Sequence, residues 1–155
     1  MRRVVHVGPT MDPGGMASVI HILAANPPEG WRASSCNTFS TKGIRRKMKR
    51  WRIAKKQIKN GGFDLVHIHS ASGWSYRRKI SIAKIANAPV IFHIHSGRFD
   101  IDAKSDLKDY QAVCLSEGWS ERLRPLIGDS IAVPNPVDAQ LKDGVERENF
   151  TLLMG

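Results

Sequence analysis

The chain has 155 residues, room for one domain with a real core and not comfortably for two. Hydrophobic residues at 41% and charged residues at 25% exclude the disordered and fibrous classes. The net charge of +10 is concentrated: ten of the 24 Lys and Arg residues lie between Lys42 and Lys59, with no acidic residue between Glu29 and Asp64. The other 14 basic residues balance 14 acidic ones, so the rest of the chain is neutral. Cys36 and Cys114 are too few for a disulfide framework and lack metal spacing, so buried reduced thiols are expected. No apolar run is long enough to span a bilayer, and the apolar stretch before Gly8 is too short for a signal peptide. A cytoplasmic protein is expected.

In chain order, Arg3 to Val7 is a β-branched run that meets Gly8-Pro9, a buried strand entering a loop. Met16, Val19, Ile20 and Leu23 repeat at helical spacing until Asn26-Pro27-Pro28 stops them. Trp31 to Phe39 reads as a second strand. The basic segment Lys42 to Lys59 reads as an amphipathic helix whose stripe is Ile44, Met48, Trp51 and Ile58 with the stem of Lys55. Asp64 to His69 is a strand, and Tyr76, Ile80, Ala83 and Ala86 mark the helix that follows, ended by Asn87-Ala88-Pro89. Val90 to His95 and Tyr110 to Leu115 are further strands. Trp119, Leu123 and Leu126 mark a helix closed by Gly128, and Ser130 to Val133 is a short strand before Pro134-Asn135-Pro136. This alternation predicts an α/β domain: a Rossmann-like parallel sheet with helices on both faces, built from right-handed crossovers. Residues 1–138 form that domain, 139–149 read as a linker, and 150–155 as the first strand of a second domain.

Parallel sheets bind ligands beyond the carboxyl ends of their strands. Those ends carry Gly14-Gly15, His69-Ser70, His95-Ser96-Gly97, Ser116-Glu117 and Asn135. Gly14-Gly15 opens a helix, where free N–H groups suit an anion, although neither a G-x-G-x-x-G nor a P-loop is present. His67 with His69 and His93 with His95 lie two apart on strands, so each pair points to one face. The inner members, His67 and His93, are expected inside and bonded to backbone; the outer ones, His69 and His95, are expected in the cleft. A metal on these pairs is the competing reading, with only Asp100 and Asp102 following as carboxylates. Ser116 reads as a helix N-cap beside Glu117, and no G-x-S-x-G supports a serine hydrolase. The basic helix suits either solvent or an anionic bilayer, with Arg45, Arg46, Lys49 and Arg50 facing the membrane. Nucleic acid is not expected, because no recognition motif or interleaved aromatic platform accompanies the charge.

These pieces, in order, resemble the N-terminal domain of the family 4 glycosyltransferases of the GT-B fold. The likeness rests on Gly14-Gly15 after the first strand, Phe63 to Ser70, Val90 to Gly97, Val113 to Glu117, Ile131 to Asp138 and Thr151 to Gly155. It implies the acceptor-side half of a retaining transferase that moves a sugar from a nucleoside-diphosphate sugar to a glycan or lipid-linked acceptor. Gly14 and Gly15 would then face the donor phosphates and His95 the transferring sugar. His69, Ser70, Ser96, Gly97, Ser116, Glu117 and Asn135 would line the cleft or acceptor site. No metal and no cofactor beyond the donor is implied. The resemblance also implies that the donor is held mainly by a C-terminal domain missing from these residues, so the isolated chain is expected to fold and to be inactive. Pro136 departs from the family pattern, which has glycine there. The rival readings are a metal-dependent hydrolase built on the His-x-His pairs and a non-catalytic module binding an anion or nucleic acid.

Overall fold

Short β-branched runs separated by helical repeats cannot bury both faces alone, and here they close into one sheet. The computed structural model describes residues 1–11, 14–96 and 107–136. Its strands are β1 (Arg2–Gly8), β2 (Trp31–Asn37), β3 (Leu65–Ser70), β4 (Val90–Ile94), β5 (Gln111–Cys114) and β6 (Ser130–Ala132). Its helices are α1 (Gly15–Ala25), α2 (Ile44–Asn60), α3 (Trp74–Ala83) and α4 (Glu117–Ile127). All neighbouring strands pair parallel, in the order β2-β1-β3-β4-β5-β6. The Rossmann-like expectation holds at this level. Residues 137–155, which carry the expected linker and second-domain strand, lie outside the described residues, as do Gly97, Asp100 and Asp102.

The two sheet faces differ in chemistry. On one, Val5, Val7, Val66, Ile68, Phe92, Ile94, Ala112 and Cys114 pack with Ala54 and Ile58 of α2, Tyr76 and Ile82 of α3, and Leu123 and Ile127 of α4. Each of these large side chains, fully buried, contributes about 1.5–3 kcal/mol. The opposite face carries the histidines, and α1 covers it at β1 through Ile20, which packs over Gly8 beside the Cβ of His69. The chain winds this way because β2 and β3 flank β1 on opposite sides, so right-handed crossovers send α1 and α2 to opposite faces.

Three local expectations are corrected. In α2 the packed stripe is Lys47, Trp51, Ala54 and Ile58, whereas Ile44 (76% exposed) and Met48 stand in solvent. One turn before Trp51 it is Lys47 that packs, its ammonium 4.8 Å from the centroid of the Phe39 ring. Trp51 is held by its indole N–H donating to Ser81 Oγ at 3.1 Å. Helix α3 ends at Ala83 rather than near Asn87, because the Ile85 and Ala86 N–H groups turn back to Ile82 and Ala83 in a tighter, 3₁₀-like winding. Strand β2 stops at Asn37, whose side chain accepts from the Thr10 and Phe39 N–H groups and ties the loops after β1 and β2 together. Cys36 and Cys114 are buried free thiols, as their apolar context predicts.

Gly8 is where the first strand and first helix meet, and a Cβ there would fall on Ile20 Cδ1 and lie 3.4 Å from His69 Cβ. Gly8→Ala is expected to cost about 1–3 kcal/mol by overpacking, read from the urea midpoint. Adding Ile20→Val, which removes the clashing methyl, should make the double variant cost less than the two single changes summed. A fully stable Gly8→Ala chain would mean that α1 does not seat on β1.

Candidate functional site

Strand order reverses at β1, so the crevice beyond the carboxyl ends of β1 and β3 is the natural ligand position. A cavity of about 350 Å³ lies there, lined by Pro9 and the Gly14 to Ala17 turn on one side. Ala71, Ser75, Arg78 and Lys79 line the other side, with Phe39 closing the end. Helix α1 opens into it with Gly14 as N-cap and no side-chain cap, leaving first-turn N–H groups and the positive end of the helix dipole toward the cavity. The preceding loop is anchored by His21 Nε2, which donates to the Thr10 carbonyl at 2.9 Å.

Lys79 is the unexpected member. It is 1% exposed, and its ammonium donates to Ser75 Oγ at 2.9 Å. No carboxylate pairs with it among the described residues. Burial, with the Arg78 charge adding to it, pushes its pKa down to about 7. The neighbouring Arg78 has a buried Nε with no hydrogen-bond partner among the described residues. A lysine placed this way costs the fold several kcal/mol when charged. It was legible in part: Lys79 lies three residues after Tyr76 and four before Ala83, on the helix face that the periodicity marks as buried.

Beside the cavity, five imidazoles share the sheet face opposite the core. Parallel register sets His6 opposite His67 and His69 opposite His93, and side-chain alternation carries His95 to the same side. Ring centroids within each His-x-His pair are 4.3 and 4.2 Å apart. His69 Nε2 meets His6 Nδ1 at 3.3 Å, and His69 Nδ1 meets His95 Nε2 at 3.0 Å. A neutral imidazole has one donor and one acceptor nitrogen, so the tautomers of these three rings are locked in series. If His6 donates from Nδ1, His69 must donate to His95; if His95 donates inward, every proton shifts. The arrangement is a relay from the edge of the sheet into its interior.

Two expectations about these rings are corrected. His69 does not reach the cleft: it is 0% exposed, because it pairs with His93 one step inside the last ladder pair. His95 lies beyond that ladder, half-buried at the edge, its N–H on the Ser70 carbonyl at 2.8 Å. Nor do the inner rings bond to backbone; neither nitrogen of His93, nor His67 Nε2, has a partner among the described residues. Burial lowers all five pKa values: to about 4 for His6 and His93, to about 3 for His67 and His95, and well below the usual range for His69. For His67, His69, His93 and His95, repulsion from other rings of the group adds to burial, and Lys79 adds to the effect on His95. His6, absent from the sequence-level site, had only the alternation of Val5 and Val7 around it as a signal.

One ring nitrogen from each of His69, His93 and His95 lies within 4.8 Å of the other two, as does one from each of His6, His67 and His69. Neutral imidazoles suit zinc or another borderline cation. The two triplets share His69, and filling either takes up a ring nitrogen on which the relay depends.

The remaining sequence-level residues do not converge on this cavity. Ser70 is buried, its hydroxyl on the Ala71 carbonyl at 3.0 Å, and Ser96 Oγ donates to Ser72 Oγ at 3.2 Å. Ser116 caps α4 by accepting from the Trp119 N–H, and Glu117 sits exposed in the first turn. They follow β5, and Asn135 follows β6, so they stand three and four strand spacings from β1, roughly 14–19 Å along the sheet edge. On the other side of Phe39 a cavity of about 550 Å³ is lined by Lys42, Arg46, Lys49 and Arg50. Arg45 lies with Lys49 and Arg52 among exposed Ile44, Met48 and Ile53.

The chain matches no protein-family model and no curated protein.

Each of the five rings is neutral in the fold at pH 7 but protonates near pH 6.5 once unfolded. Their stabilisation is complete above pH 6.5 and is lost as pH falls toward 4. Between pH 7 and pH 5 the loss is on the order of 1–2 kcal/mol per ring, enough together to unfold a domain of ordinary stability. Urea unfolding at stepped pH is expected to show several protons taken up on unfolding. A slope under about 1.4 kcal/mol per pH unit, one proton, would place these rings in solvent.

Proposed function

We propose that this domain is the acceptor-side half of a retaining glycosyltransferase that takes sugar from a nucleoside-diphosphate donor. The observation that supports the reading best is the position of the Gly14–Gly15 helix terminus, Lys79 and Arg78 in the crevice where the strand order reverses, with His95 at the adjoining strand end. Transfer from a diphosphate leaving group develops negative charge on phosphate oxygens, and preorganised donors at a helix terminus stabilise it. In this reading Gly14 and Gly15 face those phosphates, and the glycan or lipid-linked acceptor enters the same crevice. His95 contacts the transferring sugar as a neutral imidazole, oriented by His69. No residue is assigned a covalent role, and neither a metal nor a cofactor beyond the donor takes part.

The test is transfer from radiolabelled nucleoside-diphosphate sugars by the product of the whole reading frame that encodes these residues. His95→Ala is expected to lower kcat on the order of 100-fold with an unchanged circular dichroism spectrum. Stoichiometric zinc in a protein that hydrolyses but never transfers would favour the metal-dependent hydrolase instead, with the histidine triplets as its ligands.

Helix α2 supports a location at an anionic membrane. No described helix is long and apolar enough to cross a bilayer. Exposed Ile44, Met48 and Ile53 stand among Arg45, Lys49 and Arg52, an apolar surface within a cationic one. Each basic residue near such a surface contributes about 1 kcal/mol, screened by salt. Wild type is expected to sediment with phosphatidylglycerol vesicles, and a variant with Arg45, Arg46, Lys49 and Arg50 changed to Glu is not. Equal sedimentation of the two would refute the membrane assignment.

A further inference from the structure

We infer that His69, His93 and His95 form a site for a zinc-class divalent cation that switches the domain off, held by His69 Nδ1, His95 Nε2 and one nitrogen of His93. The first observation is an unmet partner. His93 is 2% exposed, yet neither of its ring nitrogens has a hydrogen-bond partner among the described residues. A desolvated polar nitrogen left alone costs stability, so buried imidazoles are nearly always bonded to something. One nitrogen of His93 lies within 4.8 Å of one from His69 and one from His95, so a single ion can serve all three rings. The triplet of His6, His67 and His69 does not contain His93 and leaves both of its nitrogens unmet.

The second observation is that two of the three ligand atoms already converge. His69 Nδ1 and His95 Nε2 stand 3.0 Å apart. Two imidazole nitrogens on a tetrahedral zinc are separated by roughly 3.3 Å. The third is an outer partner: His69 turns its other nitrogen, Nε2, to His6 Nδ1 at 3.3 Å. A metal-bound imidazole donates its second N–H in this way, which fixes its tautomer and orientation. With the ion bound, both facing nitrogens hold lone pairs, and the protons sit on His69 Nε2 and His95 Nδ1. Three neutral imidazoles suit zinc, cobalt or nickel and not magnesium or calcium, which require oxygen ligands. His95, half-buried past the last ladder pair, marks where the ion enters and where its fourth position opens. The charge of Lys79 acts on His95, so an anion in that position, hydroxide in water, balances the ion.

This ion takes no part in sugar transfer. It occupies the nitrogens through which His69 orients His95, so the metal-held and transferring states exclude each other. Only that consequence rests on the transferase reading; the metal site stands or falls separately.

The experiment titrates Co²⁺ into the full chain, expressed without a polyhistidine tag and stripped with chelator, and follows the visible absorption of the tetrahedral ion. One equivalent is expected to bind, and Zn²⁺ to displace it. His93→Leu and His95→Ala are each expected to weaken binding on the order of 100-fold, and His6→Phe about tenfold. His67→Leu is expected to leave it unchanged. The metal-free Tm of His93→Leu should stay level or rise, because the nitrogens removed have no partner, while zinc should raise the Tm of the wild type alone. If His93→Leu fails to fold, His95→Ala at the half-buried edge carries the same test. Absence of the tetrahedral absorption overturns the site. So does loss in His67→Leu with His93→Leu unaffected, which would put the ion on the other triplet. Transfer that zinc suppresses and chelator restores supports both the site and the transferase reading. Transfer unchanged at saturating zinc overturns the switch and the role of His95, and zinc bound through His93 in a protein that never transfers removes the transferase reading and leaves the metal site standing.

Discussion

The in-register pairing of β1, β3 and β4 is the constraint on which the rest of the site depends. With side chains alternating by two, that register sends Val5, Val7, Val66, Ile68, Phe92 and Ile94 into the helix-covered core and five histidines to the other face. A slip of one residue would drive imidazoles into the apolar layer and valines out of it. The same register places His95 just past the last ladder pair while burying His69 one step behind it. The relay of three rings follows from strand pairing and needs no loop to assemble it.

Positive charge is handled in three ways in this fold, according to what surrounds it. On α2 the cations are solvated, repel one another weakly through water, and cost the fold little. On the histidine face, burial makes charge too expensive and the rings shed their protons instead. Lys79 is the intermediate case: buried, close to Arg78, and without a counter-ion among the described residues. Structural lysines are rarely buried in this way unless paired. Burial and charge therefore oppose each other at this one residue.

At the level of elements the chain was legible, because β-branched runs, capping residues and Asn-Pro or Gly stops are local signals. Ser116 was readable as a cap for the same reason. The misreadings lie where a local pattern needs a partner to have meaning. Ile44 and Met48 continue the apolar stripe of α2 in sequence, yet they are exposed while Lys47 packs against Phe39. Tyr76, Ile80 and Ala83 marked a buried face correctly, and Lys79 sits on that face despite its charge. His69 and His95 look equivalent as the outer members of two pairs; only the two-residue offset that sets His69 opposite His93 separates them.

By itself the sequence determined the α/β class, the existence and order of the described elements, the confinement of charge to one helix, and the collection of polar residues at strand ends. Each of these depends on neighbours along the chain, on a period of 2 or 3.6, or on composition. Tertiary structure alone decided that His6 joins the histidine face, that Arg78 and Lys79 meet the α1 terminus, and that Ser116, Glu117 and Asn135 stand apart from that cavity. Those outcomes depend on strand order, which reverses at β1, and on register across it. Order and register arise from the long-range packing of whole faces, which no local window of sequence contains.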